Sequence, residues 1–127
     1  MLVATLIGMC IGSFLNVVIY RLPLMLDHAP GITLNKPASS CPCCTKPIRW
    51  YDNIPVLSWI NLKGQCRDCN VPISLRYPTI ELIGGLLAYY SYLYAGLSVT
   101  GASLFITGCG LLTLTLISFD KAPNNPQ

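Results

Sequence analysis

The chain is two apolar stretches separated by one polar block. Residues Met1 to Tyr20 carry no charged side chain, and neither does the run from Leu82 to Phe119. Twenty helical residues rise about 30 Å, the thickness of a bilayer core. The first stretch therefore predicts a membrane helix over residues 1–20. A signal peptide would begin with a basic region and end at a small-residue cleavage site. Here the basic residue, Arg21, follows the apolar run instead, so the helix reads as retained. Leu22-Pro23 is expected to end it, with a loop over residues 24–40. The second stretch is too long for one crossing. Gly96-Leu97-Ser98-Val99-Thr100-Gly101 supplies a turn that splits it into two helices. The expected fold class is an α-helical multi-pass membrane protein of about three transmembrane helices, with a small cysteine-rich, zinc-knuckle-like cytoplasmic loop. The expected segments are helix 1 at 1–20, the cysteine-rich domain at 21–77, a two-helix hairpin at 78–119 and a polar tail at 120–127.

Small and polar residues mark where these helices should meet. Gly12, Ser13 and Asn16 share one helix face, and Gly84-Gly85 and Gly108-Cys109-Gly110 invite close backbone approach. Pro78 is expected to open the next helix, where its missing N–H costs least. Glu81 would then fall in the first turn, where a carboxylate complements the helix dipole. The alternative is a functional carboxylate at the membrane boundary.

Composition agrees with the membrane reading. Charged residues make up 10% of the 127 residues and the mean hydropathy is +0.55; soluble domains are about a quarter charged. The net charge of +3 comes without a Lys/Arg cluster or aromatic-basic repeat, so nucleic acid is not an expected partner. No internal repeat or phosphate-binding loop is apparent, and His28 is the single histidine. A lone loop histidine is expected to be solvated rather than a ligand. Seven of the eight Lys/Arg lie between Arg21 and Arg76, and the 96–101 turn has none. Basic residues stay in the cytoplasm. The expected topology has the N-terminus outside, the cysteine loop inside, the 96–101 turn outside and Asp120 back at the cytoplasmic surface.

The polar block carries the candidate chemistry. Cys41 and Cys44 form one C-x-x-C, and Cys66 and Cys69 form another. Two such turns can supply the four thiolates of a tetrahedral structural zinc site. Cys43 is an extra thiol that could compete as a ligand. Free or redox-active thiols, or disulfides in an oxidising compartment, are the alternatives. Trp50, Tyr51, Trp59 and Tyr77 suit either headgroup anchors or the filling of a small core. Asp52-Asn53 suggests an Asx turn without chemistry.

The residues also resemble a known family. Gly12-Ser13-Phe14-Leu15-Asn16-Val17-Val18-Ile19-Tyr20-Arg21-Leu22-Pro23 looks like the first helix of the bacterial prepilin peptidases. Cys41-Pro42-x-Cys44, then Ile48-Arg49-Trp50-Tyr51-Asp52-Asn53-Ile54-Pro55-Val56-Leu57-Ser58-Trp59, Cys66-x-x-Cys69, and Pro72-Ile73-Ser74-Leu75-Arg76-Tyr77-Pro78 with Glu81 resemble its amino-terminal cytoplasmic domain. The resemblance implies a multi-pass enzyme of the bacterial inner membrane. Such enzymes cleave the leader peptides of type IV prepilins and type II secretion pseudopilins, and many N-methylate the new terminus with S-adenosylmethionine. Its expected contacts are those leader peptides and membrane lipid. Cleavage in the family uses two membrane-boundary aspartates, one as base and one as acid.

The C-terminal end departs from the family pattern. Ser118 stands where the first catalytic aspartate is expected after Leu114-Thr115-Leu116-Ile117, and the nearest carboxylate, Asp120, is a weak candidate two residues on. Two residues turn a helix by roughly 200°. The Gly-x-Gly-Asp motif of the second aspartate is absent; Gly108-Cys109-Gly110 is followed by Leu111. The expectation is an amino-terminal half with a divergent end, as a truncation, frameshift or domain boundary would leave. A non-catalytic, membrane-held zinc module contacting pilus or secretion components is the alternative, and a free-standing redox dithiol protein is a third.

Overall fold

A computed structural model describes residues 1–27, 30–36 and 38–120. Four α-helices carry the architecture: α1 (Leu2–Leu26), α2 (Leu57–Asn61), α3 (Arg76–Ala95) and α4 (Val99–Asp120). A 3-10 turn at Trp50–Asn53 precedes α2. Among the described residues there are no strands, only the isolated bridges Ser40–Pro47 and Gln65–Pro72.

α1 does not stop at Leu22-Pro23. It continues to Leu26 with Pro23 inside. A proline removes one backbone donor and crowds the preceding turn, but here a single helical turn follows it. The Asp27 N–H closes that turn on the Pro23 carbonyl at 3.0 Å. The expected solvated loop at His28 and the tail after Asp120 lie outside the described residues.

α1 packs on α3 through glycine. A methyl group on Gly8 would strike the Gly84 carbonyl and the Ala88 side chain. One on Gly12 would lie 2.8 Å from the Ile80 carbonyl oxygen and 2.9 Å from the Glu81 Cα. The two backbones thus touch at Gly8, Gly12 and Gly84, as expected for Gly12 and Gly84; Gly8 was not foreseen, although Gly8-x-x-x-Gly12 repeats the small-residue spacing. Asn16, also buried, donates from Nδ2 to the Tyr77 carbonyl at 3.2 Å, fastening the start of α3 to α1.

α3 and α4 pack against each other as a helical hairpin. α3 ends at Gly96, whose φ of 62° is open to glycine. Ser98 Oγ accepts the Gly101 N–H at 3.1 Å and caps α4. Gly108 approaches Leu87, but a methyl on Gly110 would meet nothing within 4 Å, so the contact expected there is absent. At the other end Arg76 clasps Asp120 with two bonds, at 2.9 and 2.7 Å.

α1 and α4 are long and apolar enough to cross a membrane. Their large side chains, among them Leu6, Phe14, Ile106 and Leu114, stay exposed. Such a surface suits lipid rather than water.

Candidate metal centre

Residues 40–73 fold as two matching knuckles. In the first, the Cys41 N–H donates to the Lys46 carbonyl at 3.0 Å and the Thr45 N–H returns to the Cys41 carbonyl at 2.9 Å. In the second, the Cys66 N–H donates to Val71 at 2.9 Å and the Asn70 N–H to Cys66 at 3.0 Å. The fifth position of each turn takes a left-handed backbone, φ 58° at Thr45 and 56° at Asn70. Asn tolerates that region; a β-branched Thr does so at a cost. This corrects the expectation of no internal repeat: Cys-x-x-Cys-x-x-Pro-Ile occurs at 41–48 and again at 66–73. The repeat is short and its variable positions share no chemistry, so it escapes a scan for longer periods.

The knuckles face each other. Cys41 Sγ lies 3.6 Å from Cys69 Sγ, and Cys44 Sγ lies 4.0 Å from Cys66 Sγ. All four sulfurs lie within 4.8 Å of one another and could hold one metal ion. Four thiolates at about 2.3 Å from a tetrahedral zinc would be about 3.8 Å apart, so the donor set fits. These separations are far from the S–S bond of about 2.05 Å. Cys43 is exposed and outside the cluster.

The thiols do not share one acidity. The backbone N–H groups of Cys44 and Cys43 aim at the Cys41 sulfur and hold that thiol down at about 6. The Val71 N–H pulls Cys69 the same way, but burial and the neighbouring sulfurs Cys41, Cys66 and Cys44 outweigh it and push Cys69 up to about 12. At Cys44 the Lys46 N–H is likewise outweighed by burial and Cys41, and the thiol is raised. Four clustered anions repel; a bound divalent cation reverses that balance and keeps all four deprotonated.

Charged pairs brace the cluster from outside. Lys46, beside the first knuckle, reaches Asp68 in the second at 3.0 Å. Arg67, between Cys66 and Cys69, makes two bonds to Asp52 at 2.9 and 2.6 Å. Asp52, for which no chemistry was expected, therefore ties the 3-10 turn to the second knuckle. Arg67 and Arg49 also flank the Tyr51 ring, at 5.5 and 6.0 Å. The aromatics differ in burial. Trp59 packs inward, donating from Nε1 to the Ile73 carbonyl at 3.1 Å against Gly64, whereas Trp50 is 80% exposed.

The Arg67 guanidinium holds the Asp52 carboxyl below the usual range. A depressed folded value stabilises above the unfolded value near 3.9 and is lost as pH falls through the folded one. Asp52→Asn should therefore cost about 1 kcal/mol at neutral pH, a cost that fades as pH falls through the depressed folded value. Urea melts of the metal-loaded wild type and variant at neutral pH check the cost.

Glu81 corrects the helix-cap expectation. α3 begins at Arg76, ahead of Pro78, because Ser74 Oγ accepts the Arg76 N–H at 3.2 Å and starts the turn early. Pro78 still falls within the first turn, but Glu81 lies beyond it. The residue is buried (8% exposed), and its Oε2 accepts the Val56 N–H at 2.7 Å. Val56 has φ 61° and ψ −48°, and the Leu57 N–H reaches back to the Pro55 carbonyl at 2.6 Å. That is a γ-turn of the rare positive-φ kind, strained for a β-branched residue. Beside it opens a cleft of about 450 Å³ between α1, the knuckles and the start of α3.

Asp120 and Ser118 are not brought to that cleft. Asp120 is committed to Arg76, and Ser118 Oγ donates to the Leu114 carbonyl of its own helix at 2.9 Å.

Residues 6–95 match the family described as Bacterial Peptidase A24 N-terminal domain. A prepilin leader peptidase/N-methyltransferase of Klebsiella pneumoniae is 49% identical over 110 residues, covering 87% of this chain and 46% of the relative. One of Myxococcus xanthus is 52% identical over 83 residues, 65% of this chain and 23% of the relative. A type 4 prepilin-like proteins leader peptide-processing enzyme of Escherichia coli is 41% identical over 129 residues, 92% of this chain and 48% of the relative. No solved structure matches. The chain spans at most about half the length of these curated relatives. With paired knuckles on a glycine-packed helix pair and a family match across both, this chain belongs to the bacterial peptidase A24 N-terminal domain family.

Proposed function

We propose that this chain is the amino-terminal part of an inner-membrane peptidase that removes leader peptides from type IV prepilins and type II secretion pseudopilins. The observation that carries this is the joint arrangement: a four-sulfur cluster in a segment that Glu81 ties to the helix pair covered by the family match. Zinc bound by Cys41, Cys44, Cys66 and Cys69 has a structural role, because all four positions of a tetrahedral ion are then filled. The relatives' names add an N-methyltransferase activity, with S-adenosylmethionine as donor and the new terminus as acceptor by the family resemblance. The chain crosses the membrane three times, at 1–20 and through the two helices of 78–119. Its N-terminus is outside, the 21–77 domain is cytoplasmic, and the 120–127 tail begins at the cytoplasmic surface. A cysteine introduced at Ser98 should label from outside intact cells, whereas one placed in the 21–76 segment should not; the reverse pattern refutes this topology.

In this reading the chain does not cleave by itself. The two-carboxylate mechanism needs a base and an acid in one site, and Asp120 is engaged by Arg76. Glu81, buried against Val56, faces a different element. Loss of one member of such a unit costs several orders of magnitude in rate. Incubating a prepilin with this chain in detergent, beside Asp120→Asn, tests it. No cleavage by either is expected; cleavage that disappears with Asp120→Asn would make Asp120 catalytic. The non-catalytic membrane module remains the second reading, and Ser118 at the expected aspartate position favours it.

A further inference from the structure

We propose that Glu81 is an anionic subsite for the free α-amine of a peptide with an apolar amino end. The inference rests on the prepilin-processing reading and assigns to one carboxylate the recognition of the newly exposed terminus.

Three observations meet at this residue. First, Glu81 is buried yet takes part in none of the ion pairs found among the described residues. A buried carboxylate without a cation is costly and calls for a positive partner. Second, the carboxylate is half used. Oε2 accepts the Val56 N–H. Oε1 has no hydrogen bond, and no fully buried side-chain oxygen among the described residues lacks a partner. Oε1 is therefore open, and Glu81 lines the cleft of about 450 Å³. Third, the bond on Oε2 holds a strained positive-φ turn at Val56. Strain of this kind is maintained where surrounding structure fixes a site.

The cleft defines what kind of cation fits. Its walls include Val17, Tyr20, Trp59, Leu62 and Ile73. The other two carboxylates on its lining, Asp52 and Asp68, are already neutralised by Arg67 and Lys46. The lining also carries Ser13, Asn16, Arg21 and Arg49, and one open carboxylate oxygen there is a poor cage for a metal ion, which wants several oxygens. It suits a single ammonium on an apolar body. The amino end left when a leader is removed from an apolar segment has that form. The subsite also sits at the right place: the Gly12 and Asn16 faces of α1 seal it from the membrane-helix side, near the end of α3 that carries the Arg76–Asp120 clasp.

The test uses a fluorescent apolar peptide with a free α-amine, titrated against the zinc-loaded chain in detergent micelles, beside the same peptide N-acetylated. Wild type should prefer the free amine by at least about 30-fold, as for a buried charge pair. Glu81→Gln should abolish the preference. The amide oxygen can still accept the Val56 N–H, so zinc content and protease resistance should be unchanged in that variant. Equal binding of the two peptides by wild type, or a preference that survives in Glu81→Gln, overturns the assignment. Competition by S-adenosylmethionine at the same site would give Glu81 to the donor's sulfonium and also overturn it. The processing reading is scored separately, by competition between a peptide with the amino end of a processed prepilin and an apolar free-amine peptide of unrelated sequence. If the two compete equally while amine preference persists, that reading falls and the subsite stands.

Discussion

Replacing Cys66 and Cys69 together by serine is expected to strip the metal and unfold residues 40–73 while leaving α1 and α3 packed. The knuckles contain little else to hold them. Among the described residues of that segment, Cys41 is the one buried apolar side chain, and Trp59 is half-buried. The Lys46–Asp68 and Arg67–Asp52 pairs are partly open to water, where such contacts are worth about 1 kcal/mol or less. Structural zinc contributes about 10–16 kcal/mol of apparent binding energy to small domains of this kind, which is folding energy when the apo form is unstructured. Trypsin should then cut at Lys63 and Arg67 at least about 100-fold faster than in wild type, a modest share of that energy. Cys43→Ser is the comparison: its thiol is exposed and outside the cluster, so zinc content and digestion should match wild type. A metal-free double variant with undiminished protease resistance would show that the knuckles stand without metal.

The second large effect is expected at the helix contact. Gly12→Leu should separate α1 from α3. A first carbon there already sits 2.8 Å from the Ile80 carbonyl and 2.9 Å from the Glu81 Cα. Both are backbone atoms, so the neighbour cannot swing aside. Overpacking commonly costs about 1–3 kcal/mol; a collision with backbone along a shared seam should exceed that range. The displacement also carries Glu81 away from Val56, so the knuckles should loosen with it. Gly110→Leu, on a face where a first carbon meets nothing within 4 Å, should be neutral. Unfolding of each variant in mixed micelles with increasing sodium dodecyl sulfate measures the difference. Equal midpoints for Gly12→Leu and Gly110→Leu would contradict the close contact.

Much of this was legible in the sequence where a residue has one dominant physical role. The uncharged runs gave the long helices, Gly96 and Ser98 the hairpin turn, and the two C-x-x-C pairs the four sulfurs brought together in space. Legibility failed where tertiary partners decide. Pro23 reads as a stop signal, yet one more turn is cheap when Asp27 can close it. Glu81 reads as a cap because Pro78 looks like a first residue; Ser74 starts the helix earlier and moves Glu81 out of the first turn. No local pattern couples Glu81 to Val56, since that bond joins elements far apart in the chain. Asp52 likewise looked like turn punctuation until Arg67 was placed against it. Gly108 and Gly110 are alike in sequence, and only the neighbouring helix tells the packed one from the open one.

The most direct test of the account is the coordination shell of the metal in the purified chain. X-ray absorption at the zinc edge should show about one zinc per chain with four sulfur neighbours at about 2.3 Å and no lighter atom in the shell. A shell with nitrogen or oxygen in place of one or more sulfurs, or a folded chain that carries no zinc, would contradict it.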